Sequence, residues 1–284
     1  MTQWYDELLQ CDLATFIGKT LLTTNPSVNY LSNWHISLIA EYLEAAQQGK
    51  IKRLIINVPP RTLKSICVNV AWPAWLLGHD PARRILTASY AASLSLKHSL
   101  DCRLILNAPW YRQIFPKTHL SRDQNEKRKF MTTECGYRIA TSVGAGITGE
   151  GGNFLIIDDP LNPKQAMNGK IRSAVNGWFE HTFASRLDDK KNGVIVLVMQ
   201  RLHTEDLSGY LLAKGGWEHL SLPAVADKRT VLGCGNYRYV REAGELLPEA
   251  REDQKFIERA KGEMGGAAFA AQYQQAPLLE TNGM

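Results

Sequence analysis

Two short segments of the chain carry the residue types that nucleotide chemistry requires. Residues 59–65 read PPRTLKS, and residues 154–160 read FLIIDDP. A Lys-Ser pair that opens a helix offers three things at once. The ammonium of Lys64 neutralises β/γ-phosphate charge, the hydroxyl of Ser65 binds Mg²⁺, and the unpaired N–H groups of the helix start hold phosphate oxygens. Two acids that close an apolar run offer the complement. Asp158 would hold the water shell of the metal, and Asp159 would orient or deprotonate the attacking water.

Neither segment matches its pattern in full. A phosphate loop of this kind has glycine early in the loop and again immediately before the lysine, because glycine lets the backbone approach phosphate closely. No glycine occurs from Val58 to Leu63, and Leu63 stands directly before Lys64. The bland alternatives are a surface lysine that caps nothing and an Asp-Asp turn into Pro160. The context of each segment favours the chemistry, since a strand pattern precedes the loop and a helical pattern follows it.

A third segment, VIVLVMQRLHTEDLSG at 194–209, ends an apolar run in Gln200-Arg201. Polar residues at such a strand end can sense a γ-phosphate and relay its loss to moving parts. A capped strand-to-helix turn is the alternative. The stretch GAGITGEGG at 144–152 reads either as a phosphate- or DNA-facing loop or as a flexible connection.

The elements that must position these residues alternate along the chain. Residues 4–22 have apolar positions at helical spacing and stop at Asn25-Pro26, and a second amphipathic helix fits 35–48 with Gly49 as its stop. Strands are then predicted at 53–58, 84–88, 154–157, 194–199 and 219–222, with two short ones around Gly136. Helices are predicted up to residue 77, over 91–106, near 169–187, and from a Thr204 cap to Gly215. Repeated βα units imply a parallel, doubly wound sheet whose ligand lies beyond the carboxyl ends of its strands. The last thirty-odd residues read as a loose cap or linker.

Composition excludes little. The 33 Lys and Arg against 28 Asp and Glu leave a net charge of +5, compatible with a polyanionic partner without requiring one. Lys127-Arg128-Lys129 could touch phosphates, although a charge run near a hairpin is usually a solvated face. The five cysteines are odd in number and lack C-x-x-C spacing, which argues against a disulfide framework or a metal site. The N-terminus has no basic segment before an apolar one, and no apolar run is long enough to span a bilayer.

The ordered series NWH (33–35), PPRTLKS (59–65), PAWLLGHDP (73–81), TGEGGNFLIIDDP (148–160), QRLHTEDLSG (200–209), LPA (222–224) and FAAQYQQAP (269–277) resembles the ATPase half of phage terminase large subunits. The resemblance implies an α/β fold of the ASCE-type P-loop NTPase class, with a mostly parallel twisted sheet flanked by helices. It implies a helical lead-in at 1–50, a P-loop core at 51–260 and a cap or linker at 261–284. Pro60, Arg61, Thr62, Leu63, Lys64 and Ser65 would bind ATP, with His35 near the adenine and Ser65 and Asp158 at Mg²⁺. Arg61 would be the loop's arginine, Asp158 and Asp159 the acidic pair, and Gln200 and Arg201 the coupling pair.

The same resemblance implies double-stranded DNA, the capsid portal, a terminase small subunit and a ring of identical subunits as partners, in the cytoplasm of an infected bacterial host. The family adds a C-terminal nuclease, which would lie beyond Met284, so no DNA cleavage is expected of this chain. Arg103, Arg112, Arg138 and Arg186 are the candidates for an arginine acting across a subunit boundary. The competing readings are a helicase or other nucleic-acid translocase, and a nucleotide-binding scaffold that has lost its glycine and catalytic Glu.

Overall fold

Three apolar runs become the middle of one sheet. In a computed structural model that describes residues 3–147, 149–235, 237–247 and 252–278, strands β1 (Arg53–Asn57), β6 (Phe154–Asp158) and β7 (Val194–Met199) are buried along nearly their whole length. Thr148 of the glycine-rich stretch and residues 279–284 lie outside the described residues. Continuous apolar runs are what strands covered on both faces require. Alternate residues accordingly enter two different cores: Leu54, Ile56, Phe154, Ile156, Val194, Val196 and Val198 on one face, and Ile55, Leu155, Ile157, Ile195, Leu197 and Met199 on the other.

The remaining strands are β2 (Arg84–Ser89), β3 (Leu120–Asn125), β4 (Lys129–Thr132), β5 (Tyr137–Ser142) and β8 (Glu218–Ser221). Their order is β3-β4-β5-β2-β6-β7-β1-β8. Every pairing from β5 to β8 is parallel, and β3 and β4 add antiparallel pairings at one edge. That edge is managed by polarity and a register shift: β3 reads LSRDQN and pairs irregularly between Leu120 and Asn125. Strand β7 lies between β1 and β6. This order sets the loop after β1, the end of β7 and the end of β6 side by side at one edge.

The first core is covered by α1 (Gln3–Cys11), α2 (Leu13–Thr24), α3 (Trp34–Gln47), a π-helical turn over Ile66–Ala71, α4 (Trp72–His79), α5 (Ala92–Asn107) and α6 (Pro109–Ile114). The stretch 4–22, expected as one helix, breaks at Asp12, whose carboxylate accepts from the Thr15 N–H at 2.8 Å and caps α2. The second core is covered by α7 (Pro163–Ala166), α8 (Gly169–Trp178) and α9 (Leu207–Lys214). Beyond α8 the expected helix to residue 187 loosens and then tightens, with π geometry over Phe179–Phe183 and 3₁₀ geometry over Ala184–Arg186.

Two features had no clear sequence signal. Strands β9 (Thr230–Cys234) and β10 (Tyr237–Arg241) form a separate antiparallel pair. Tyr239 stacks on Trp34 at 4.1 Å between ring centroids, which fastens this ribbon to the start of α3. The segment expected to be loose near the end instead folds into α10 (Gln254–Met264) and α11 (Gly266–Gln272), with Phe269 and Ile257 packed on Ala224.

Candidate nucleotide site

The loop from β1 to the π turn is held by its own short-range bonds and by α3. The Thr62 hydroxyl donates to the Pro59 carbonyl at 2.8 Å. The His35 imidazole bridges outward from the start of α3, with Nδ1 2.8 Å from Asn33 Oδ1 and Nε2 3.3 Å from the Thr62 carbonyl. Asn33 is itself fixed, its Nδ2 donating to the Leu247 carbonyl at 3.0 Å. His35 is therefore buried behind the loop as a buttress. The resemblance implies a place near the adenine, and the contact His35 makes here is with the loop backbone.

Two loop residues take up left-handed backbone: Arg61 at φ +65° and Leu63 at φ +64°. A leucine in that region bears about 1–2 kcal/mol of steric cost that glycine would not. This is the position where the sequence pattern lacks its glycine, so the conformation is kept although the residue that favours it is absent. Packing of the Leu63 side chain against the first core offsets part of the cost.

The acid end of β6 meets the loop directly. The Ser65 hydroxyl donates to Asp158 Oδ1 at 3.1 Å, and Lys64 Nζ lies 3.0 Å from Asp159 Oδ2. Asp158 is fully buried, whereas the Asp159 side chain keeps 22% exposure. Burial pushes both carboxyls above the ordinary carboxylate range, and the Lys64 ammonium pulls each of them back. Asp159, just past the strand, has φ +45° and remains tied to the sheet, donating its N–H to the Val198 carbonyl at 2.9 Å.

Behind Asp158 stands a group of side chains, Asn69, His98 and Arg138, that the sequence does not place there. Asn69 of the π turn donates from Nδ2 to Asp158 Oδ2 at 3.2 Å and reaches His98 Nδ1 at 3.0 Å. Its amide orientation is set by Arg138 of β5, whose Nη2 donates to Asn69 Oδ1 at 2.8 Å. Burial, then Arg138, pushes the His98 ring down to about 4, so the imidazole is neutral and its Nδ1 accepts from Asn69. The 3.4 Å approach of His98 Nδ1 to Asp158 Oδ2 is consequently not an ion pair. Asn69 sits one helical turn after Ser65, a spacing that could have marked it. Nothing local in the sequence marks His98 or Arg138. Arg138 is fully buried and cannot reach across a subunit boundary, which removes it from the candidates for that role.

The coupling pair divides. Burial leaves the Gln200 Oε1 without a hydrogen-bond partner, and the Gln200 backbone N–H bears on the Asp159 carboxylate. Arg201 turns away: its Nε donates to both oxygens of Asp206 at 3.1 Å, and Nη2 to the His203 carbonyl at 3.3 Å. Asp206 also accepts from the N–H groups of Leu202 at 2.9 Å and Gly209 at 2.8 Å. Asp206, not Thr204, therefore caps α9, because one carboxylate has enough lone pairs for the turn, the helix start and the guanidinium together. Gly209 is required there: a Cβ would fall 1.9 Å from the Thr204 carbonyl oxygen.

A cleft of about 750 Å³ opens over the loop, lined by Arg61, Leu63, Lys64 and Ser65 on one side, and by Leu21, Asn25, Lys97, His98 and Asp101 around it. That volume suits a nucleotide. Pro60, Thr62, His35, Asp158, Asp159, Gln200 and Arg201 do not line it; the two acids stand behind Lys64 and Ser65, which do. Lys127 and Arg128 are exposed at the β3–β4 turn, while Lys129 pairs with Glu150 at 2.5 Å.

Among the described residues no group of three or more His, Cys, Asp or Glu side chains could by itself hold a metal ion. The donor set formed by the Ser65 hydroxyl, which lines the cleft, and the buried Asp158 carboxylate 3.1 Å behind it is of the kind that takes Mg²⁺, which binds through one or two protein oxygens plus phosphates and retained waters. Among the described residues no helix is long and apolar enough to cross a membrane.

No family model and no curated protein matches the chain in sequence. Solved structures do match it in fold. The large terminase of bacteriophage HK97 aligns at 12% identity and a TM-score of 0.51, over 96% of this chain and 55% of that one. A variant of the large terminase ATPase domain of Thermus phage P74-26 aligns at 11% identity and 0.55, over 83% and 93%. The large terminase of the thermophilic bacteriophage D6E aligns at 9% identity and 0.52, over 84% and 53%. The chain thus spans about half the length of the HK97 and D6E proteins and nearly all of the isolated ATPase domain. Its fold is that of phage large terminase ATPase domains.

Proposed function

We propose that this chain is an ATP-hydrolysing motor domain that drives double-stranded DNA into a preformed capsid. The observation that carries the reading is the convergence of Lys64 and Ser65 on Asp159 and Asp158 beneath the cleft, in a fold shared with terminase ATPase domains. Lys64 and Arg61 supply positive charge for the phosphates, and the N–H groups that open the π turn supply donors. Ser65 and Asp158 would hold Mg²⁺, which would supply charge neutralisation for the phosphates. Asn69 fixes the Asp158 carboxylate so that one oxygen stays with Ser65. Asp159, the more exposed acid, orients the attacking water and takes its proton.

The coupling pair would pass the change at Asp159 toward the turn before α9. A ring of copies, the capsid portal and a small DNA-recruiting subunit belong to the same reading, as does the cytoplasm of an infected bacterium. A second reading, a nucleotide-binding subunit without turnover, draws support from the Lys64–Asp159 ion pair, which commits the would-be base to the loop lysine. Phosphate release by the purified chain with Mg²⁺ and double-stranded DNA separates the two. Turnover that is lost in Lys64→Ala supports the motor; nucleotide binding without turnover in the wild type overturns it.

A further inference from the structure

The motif FAAQYQQAP is not used by the chemistry above, yet its glutamines bond the segment after α11 to the residues that follow β7 and β8. Gln274 clamps one residue from both sides: its Oε1 accepts from the Val225 N–H at 3.0 Å and its Nε2 donates to the Val225 carbonyl at 3.0 Å. The Ala224 N–H donates to the Tyr273 carbonyl at 2.7 Å alongside. Gln275 does something different. Its Oε1 accepts the backbone N–H of Arg201 at 2.9 Å, while its Nε2 donates to the Gln272 carbonyl at the end of α11. Its side chain is buried, and its backbone is held at φ +56°, a conformation that costs a non-glycine residue energy and that the surrounding bonds must maintain.

Arg201 follows Gln200, and β7 carries the Val198 carbonyl that receives the Asp159 N–H. A short stretch of backbone therefore has Asp159 bonded at one end and α11 bonded at the other. The Arg201 side chain is anchored separately on Asp206, so only its peptide group is left to carry this link.

We infer that Gln275 is a positioning residue for hydrolysis: its carboxamide sets the peptide of the coupling pair relative to Asp159 and ties that peptide to α11. This rests on the nucleotide reading above. Because the bond is made behind the acid and not to the nucleotide, its loss should lower kcat and leave KM alone.

Gln275→Met keeps the length of the side chain and removes the acceptor. In the full chain with Mg²⁺ and DNA, kcat should fall about tenfold, a loss of the size expected for one buried hydrogen bond, with KM and mant-ADP affinity within about twofold of wild type. A kcat within about twofold of wild type, or a parallel loss of affinity and turnover, overturns the inference. Hydrogen exchange gives a readout independent of turnover. In the wild type, ATPγS with Mg²⁺ should slow exchange at residues 59–66 and also at 266–278; in Gln275→Met only the first response should remain. Protection at 59–66 with none at 266–278 in the wild type overturns the inference even if the variant does not fold. No protection at 59–66 in the wild type overturns the nucleotide reading, and this inference with it.

Discussion

Lys64 Nζ lies 3.0 Å from Asp159 Oδ2, although the two residues leave the sheet from strands that are not neighbours, with β7 between them. The ammonium and the acid therefore meet across the end of β7. Any change in the partner of Lys64 is felt at Asp159 and at the Gln200 backbone together.

Replacing Lys64 with alanine removes the counter-charge for phosphate on the proposed reading and leaves Asp159 without its ion pair. Hydrolysis should fall on the order of 100-fold or more, as when one preorganised donor is lost from a reacting centre. Phosphate release measures it. Turnover at the wild-type rate would mean the loop does not hold phosphate.

Asp158→Asn and Asp159→Asn should fail differently. Asp158 is bonded to Ser65 and Asn69, so its amide variant should weaken Mg²⁺-dependent nucleotide binding. Asp159→Asn should bind Mg²⁺-ATP and not hydrolyse it, since an amide cannot accept the water's proton. Fluorescent-nucleotide titrations with and without Mg²⁺ distinguish them, and equal binding defects in both variants would refute the division of roles.

At Leu63 the order of stabilities is informative. Leu63→Val puts a β-branched residue at φ +64° and should cost about 1–2 kcal/mol in urea unfolding. Leu63→Gly loses side-chain packing and gains conformational ease, so it should lie closer to wild type. A valine variant as stable as the parent would show that the left-handed conformation is not held in solution.

Gly209→Ala tests the turn that holds Arg201. The added Cβ meets backbone, the Thr204 carbonyl oxygen, and cannot be relieved by rotating a side chain. A loss of about 1–3 kcal/mol is expected from such overpacking, with turnover reduced as well because Asp206 and Arg201 share the turn. Unchanged stability would argue against this packing.

The cysteines should separate by reactivity. Cys11 and Cys135 are exposed, while burial pushes the Cys67 and Cys102 thiols up to about 12. Brief iodoacetamide treatment near pH 8 should label the first two and spare the others until denaturant is added. Mass spectrometry of the peptides reads the result, and early labelling of Cys67 would show that the π turn after the loop opens easily.

The strands that frame the site are legible in the chain itself. Residues 54–56, 154–157 and 194–199 are apolar and rich in β-branched side chains, and a run of that kind has few places to go except a strand covered on both faces. The positions of Lys64-Ser65 after one such run and Asp158-Asp159 after another follow from the same pattern, as does the parallel α/β class. Local sterics and periodicity act over a few residues, so a single sequence exposes them.

What the tertiary structure decided depends on groups brought together from distant positions. The insertion of β7 between β1 and β6 sets which strand ends are neighbours, and this follows from burying whole faces, not from any segment's own pattern. Asn69, His98 and Arg138 acquire their roles only because Asp158 is buried and its oxygens need donors. The same demand draws Arg201 to Asp206, and its peptide N–H to Gln275. Polar groups excluded from water must find partners wherever the fold supplies them, and only the folded chain determines which partners those are.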